Sequence, residues 1–175
     1  VLKFLDLLAK HCNEIILIKG NHDMILGPIA RKRNVSVVDY YLIDFNTNKF
    51  INGRSLTKKT SKNKSDKILV IHGNKIPEKK VLGQADTIII GHEHPAISLR
   101  EGARIEQFKC FLKGKFMGKN LIVLPSFNTI VKGTDLLRDN ILSPFLRQNL
   151  DDFEVYVIED KVYNFGKLGE LRNKE

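Results

Sequence analysis

Little in this sequence could serve as a covalent or thiolate framework. Cys12 and Cys110 are the only cysteines, far apart and outside any C-x-x-C pair, which argues against a disulfide scaffold and against a zinc cage built from thiolates. Both are read as small core residues. No apolar run approaches the ~20 residues that cross a bilayer, and no apolar segment with a basic flank resembles a signal peptide. A soluble, cytoplasmic protein with no membrane partner is therefore expected. Repeats are absent, and the one compositionally biased stretch is rich in lysine.

What is present suits one packed core. With 175 residues and 42% hydrophobic content, the chain is expected to form a single domain over residues 1–175. The 29 Lys+Arg outnumber 20 Asp+Glu, giving +9. That balance favours polyanionic partners such as DNA or RNA, although solvated surface lysines account for it equally well.

Along the chain, Val1, Leu5, Leu8 and Cys12 recur at helical spacing with Leu2 and Ala9 beside them, predicting an amphipathic helix over the first 14 residues that also carries His11. It has neither an N-cap nor an initiator Met. EIILI (14–18) reads as a strand running into GNHD, followed by a short helix over 24–33. VSVVDYYLIDF and KFI predict a hairpin. RSLTKKTSKNKSDK, with Arg54, Lys58, Lys59, Lys62, Lys64 and Lys67 against Asp66, has no periodic apolar positions and reads as a loop. ILVI and TIII, apolar on both faces, suit a covered parallel sheet, with PEKKVLGQA a short helix between them. ISLREGARIEQFKCF, turning at Glu101-Gly102, and NLIVLPSF predict an antiparallel extension. FEVYVIEDKVYNFG closes the chain as a hairpin turning at 159–161. Helices alternating with strands indicate an α/β fold.

The histidines carry the chemistry. Of five, His22, His72, His92 and His94 each follow an apolar strand-like run, and in an open α/β sheet such carboxyl-end loops converge on one rim where ligands bind. In an extended segment His92 and His94 would point to the same side. Imidazole is the commonest metal ligand, and the amide oxygen of Asn21 adds a hard donor. A lone buried histidine is ordinarily a hydrogen-bonded core residue, but four at strand ends are hard to satisfy without a ligand. A structural zinc would require a closed tetrahedron, often with thiolates, so the pattern points to a catalytic ion.

G-N-H-D at 20–23, I-H-G at 71–73 and G-H-E-H at 91–94, in that order, resemble the third, fourth and fifth motifs of the calcineurin-like metallophosphoesterases. GHEHPAI, LIVLPSFN and KGTD further resemble the archaeal branch related to DNA repair nucleases. The resemblance spans nearly the whole chain and implies a four-layer αββα sandwich with mixed sheets. It also implies two divalent ions, Mn²⁺ first with Fe, Ni, Zn or Mg as alternatives, and hydrolysis of a phosphate ester or phosphodiester. Asn21, His72 and His92 would bind the second ion and His94 the first. His22 would protonate the leaving oxygen with Asp23 orienting its ring, and Gly20 and Gly91 would let the backbone turn beneath the ions.

The family's D-x-H and G-D motifs have no counterpart in these 175 residues. With them go the bridging carboxylate and two ligands of the first ion, so the chain reads as the C-terminal two-thirds of the domain, lacking about two βα units. Impaired turnover and self-association through the shortened edge are expected. Two rival readings are a catalytically inactive nucleic-acid-binding module using the lysine stretch and a metal-stabilised scaffold.

Overall fold

The computed structural model describes residues 2–45, 49–52 and 67–172. In chain order its elements are α1 (Leu2–Leu8), β1 (Ile16–Ile18), α2 (Leu26–Arg31), β2 (Ser36–Val38), β3 (Tyr40–Asp44), β4 (Lys49–Asn52) and β5 (Lys67–Ile71). Then follow α3 (Lys79–Leu82), β6 (Thr87–Ile90), β7 (Pro95–Glu101), β8 (Arg104–Phe116), β9 (Lys119–Val123), β10 (Thr134–Asp135) and a 3₁₀ turn at Pro144–Leu146. The described chain closes with β11 (Glu154–Ile158), β12 (Val162–Lys167) and α4 (Leu168–Arg172).

A large mixed sheet dominates, with few and short helices, in the order β10-β7-β8-β9-β6-β5-β3-β4 and with the β11–β12 hairpin joined to β8. β5, β6 and β9 run parallel to one another, β3 is antiparallel to β5, and β8 is antiparallel to both β7 and β9. The apolar runs explain the middle. In β6 and β9 alternate residues, Ile88, Ile90, Leu121 and Val123, are buried almost completely, where they meet Leu69, Leu112, Phe145 and Val155 in one core. The β-branched Ile88, Ile90 and Val123 suit a pleated surface packed on its neighbours. Cys110 joins that core, and burial pushes its thiol up to about 12, so no thiolate is available there near neutral pH.

Several expectations hold and others are corrected. The β3–β4, β7–β8 and β11–β12 antiparallel pairs and the parallel β5–β6 pair form as the patterns predict. The first helix, however, stops at Leu8, and only Leu5 on it is buried. His11 and Cys12 therefore lie in the turn that follows it, and Cys12 is exposed rather than core. EIILI supplies only three strand residues, and these pair in parallel with β2 in a separate two-stranded sheet. The run 35–45 is thus shared between two sheets with a break at Asp39. An apolar run records burial but not which sheet provides it. The final hairpin leads into α4, whose Leu168 and Leu171 are buried against the core.

The lysine-rich stretch lies outside the described residues except for Lys67, whose ammonium pairs with the buried carboxylate of Asp44 at 3.1 Å. Among the described residues no helix is long and apolar enough to cross a membrane.

Ile88 sits at the centre of the parallel strands with no exposed surface. Ile88→Ala should cost about 2–5 kcal/mol and Ile88→Val about 0.5–1.5 kcal/mol, read as lowered urea midpoints at unchanged m-value.

Candidate functional site

The parallel run of β5, β6 and β9 puts their carboxyl ends on one rim. His72 follows β5 directly and Gly91-His92-Glu93-His94 links β6 to β7. Backbone bonds tie the two loops together, because the His72 carbonyl accepts the N–H of Gly91 at 3.0 Å and of His92 at 2.8 Å. Gly73 has φ +102, and a Cβ there would meet Ile90 at 2.8 Å. A side chain at this point would both strain the turn and strike β6.

On the rim, His72 Nε2 lies 2.9 Å from Asn21 Oδ1 and 3.0 Å from His92 Nδ1. The rings of His72 and His92 meet edge to face, 4.9 Å between centroids. Asn21 arrives from the loop after β1, 51 residues away in sequence, and Gly20 allows the approach: a Cβ there would sit 3.1 Å from His72 Cε1. An imidazole nitrogen carries either a proton or a lone pair. His72 Nε2 can therefore make a full hydrogen bond to only one of its two neighbours, and the other contact is left without one. A cation among the three atoms removes that conflict. Neighbouring donors to one small divalent ion would stand about 3 Å apart, the spacing of both contacts at His72 Nε2.

Burial is the largest cause holding His72, His92 and His94 below the ordinary 6.5. The charge of His92 adds to it for His72 and His94, whereas Glu93 acts the other way on His92 and His94. Neutral imidazole, the form that binds metals, is thus favoured at neutral pH.

His94 does not join the trio by a hydrogen bond among the described residues. Its backbone is left-handed at φ +51, so the extended geometry expected for 92–94 is replaced by a bend that turns Glu93 inward, fully buried. Through space, the charges of His92 and Lys109 both bear on His94. His22 is exposed, and its charge reaches His72 and His92. Asp23 closes its own turn by accepting the Gly20 N–H at 2.7 Å. Among the described residues no hydrogen bond links it to the His22 ring. Gly91 has open space where a Cβ would stand, so crowding does not require glycine there; Gly73 is the constrained position instead.

Among the described residues no three His, Cys, Asp or Glu side chains converge to hold an ion; the trio is completed by an amide. A cavity of about 600 Å³ opens beside it, lined among others by Asn21, His72, Asp39, Tyr40, Asn74 and Lys75. Pattern reading missed Glu93, Thr134 and Ser143, which brace the rim from behind. The acid between two histidines was visible, but its inward turn depends on partners about fifty positions away.

No protein-family model matches the chain, and no curated protein matches it.

Because these histidine pKa values are lowered from 6.5 on folding, the unfolded chain takes up protons first as pH falls. Stability contributed by the neutral rings is complete above about 6.5, declines as pH drops below it, and levels off beneath the folded values. The metal-free protein should show a lower urea midpoint at pH 5.5 than at 7.5, with a shallower dependence in His72→Asn. A midpoint that is flat or rises toward pH 5.5 would contradict this.

Proposed function

We propose that this chain is a metal-dependent phosphoesterase, preferring phosphodiesters, with the αββα sandwich and motif set of the calcineurin-like enzymes. The observation carrying this reading is the meeting of Asn21 Oδ1, His72 Nε2 and His92 Nδ1 at 2.9 and 3.0 Å, from three loops of the chain, in an arrangement one proton cannot satisfy. The donor set fits a divalent ion of the first transition row: two imidazoles and an amide oxygen form a mixed N/O shell that suits Mn²⁺ and admits Fe, Ni, Zn or Mg. A structural thiolate zinc does not fit, since Cys110 is buried in the core and Cys12 is exposed beyond the first helix.

Asn21, His72 and His92 would hold one ion, with His94 serving a second. Bound there, divalent ions offset charge on the phosphoryl oxygens and acidify water. The chain's own residues supply the remainder. His22, which is exposed and whose charge acts on His72 and His92, would donate a proton to the departing alkoxide. The cavity beside Asn21 and His72 gives the ester room. Nucleic acid is a substrate class consistent with the +9 charge, although Lys67 is engaged with Asp44.

Mn²⁺ titration should raise the melting temperature by mass action and selectively broaden the His72 and His92 ring signals in NMR. His92→Ala should weaken Mn²⁺ binding by more than about tenfold and abolish any hydrolysis of bis-p-nitrophenyl phosphate. Mn²⁺ that leaves both the rings and the melting temperature unaffected would sink the proposal. Stabilisation without cleavage at any Mn²⁺ concentration would favour a metal-stabilised scaffold, and salt-sensitive DNA binding indifferent to chelators would favour the inactive nucleic-acid module.

A further inference from the structure

We propose that residues 133–143 act as a strap that holds the histidine loops from behind, and that Glu93 is the positioning residue through which it sets the His72–His92 contact. The ring geometry stands apart from the phosphoesterase reading; only the consequence for metal affinity rests on it.

Glu93 is 0% exposed. A carboxylate taken out of water must be well bonded, and here backbone amides supply the bonds. Leu142 N–H reaches its two oxygens at 3.2 and 3.1 Å, and Ser143 N–H reaches Oε2 at 2.6 Å. Packing alone would be met by an apolar side chain of similar size. An acceptor pair aimed at two successive amides instead fixes the direction of the side chain, and with it the backbone between His92 and His94.

Three further contacts run the same way. The hydroxyl of Ser143, itself buried, donates to the Gly73 carbonyl at 2.7 Å, pinning the residue after His72. Thr134 Oγ1 donates to the Glu93 carbonyl at 2.9 Å, and the Thr134 N–H donates to the His94 carbonyl at 3.0 Å. Gly133, at φ +100, lies so close to the His94 carbonyl that a Cβ would collide with it. One segment thus grips the backbone beside His72, between His92 and His94, and at His94. Loops are the mobile parts of a fold, and a ring contact of 3.0 Å between two of them persists only if both are held.

The test uses the full chain, free of metal and labelled with ¹⁵N-histidine. Wild type should show one imidazole N–H proton protected from exchange, assigned to the His72–His92 pair by its loss in His92→Asn. Glu93→Gln keeps the shape but replaces one acceptor with a donor. It and Ser143→Ala should each speed exchange of that proton at least tenfold while the methyl signals of Leu69, Ile88 and Leu121 stay in place. Should Glu93→Gln fail to fold, Ser143→Ala and Thr134→Val, the latter at a half-buried site, decide by the same criterion. A role confined to stability would move the core methyls together with the ring proton. That result overturns the proposal, as would a ring proton unaffected in the variants or absent from wild type. With Mn²⁺, Glu93→Gln should bind about 10–100-fold more weakly than wild type, and unchanged affinity would also overturn the strap. A wild-type protein that shows the protected proton but binds no Mn²⁺ would remove the phosphoesterase reading and leave the strap standing.

Discussion

Pairing of β5 with β6 is the constraint on which the candidate site depends, because Leu69 lies opposite Ile88 and Val70 opposite Ile89 in a parallel ladder. That register carries forward past the strand ends, where the His72 carbonyl takes the amides of Gly91 and His92. A slip of one residue would turn each strand's core face outward. The almost complete burial of Leu69, Ile88 and Ile90 makes such a slip costly, so hydrophobic packing of the strands is what brings the two histidine loops side by side.

Behind the rim the chemistry changes from apolar to polar. The core ends at Ile71 and Ile90, and the next layer contains buried Glu93 and Ser143 bonded to backbone groups. Directional bonds replace close packing where loops must be fixed without strands. The half-buried histidines stand in front of this layer, and the same partial burial that positions them also keeps them neutral. Geometry and protonation state therefore have a common cause: moving the rings outward would weaken both.

Much of the sheet could be read from pattern. Short runs bounded by turn residues, such as KILVI, TIII and the segment on either side of Glu101-Gly102, became strands: the antiparallel β7–β8 pair needs only alternation and a turn, and the parallel β5–β6 pair two apolar runs joined by a crossover that holds a short helix. Longer inferences failed where a choice of partner intervened. EIILI is as apolar as TIII, yet it joins β2 in a separate sheet; the helical spacing of residues 1–12 extends past a helix that ends at Leu8. Periodicity reports that a face is buried, and it is silent about which surface does the burying.

The candidate site divides along the same line. The sequence by itself determined that imidazoles follow apolar strands and that Asn21 and His22 follow another, since those are properties of neighbours along the chain. It also offered no pair of neighbouring cysteines from which to build a thiolate cage. Only the tertiary structure decided that Asn21, His72 and His92 meet while His94 stands aside, that Asp23 turns to Gly20, and that Glu93 faces inward. Each of these rests on contacts or backbone angles set by packing between distant segments, up to 51 residues apart for Asn21 and His72, and no local pattern encodes which distant groups a loop will find when the sheet closes.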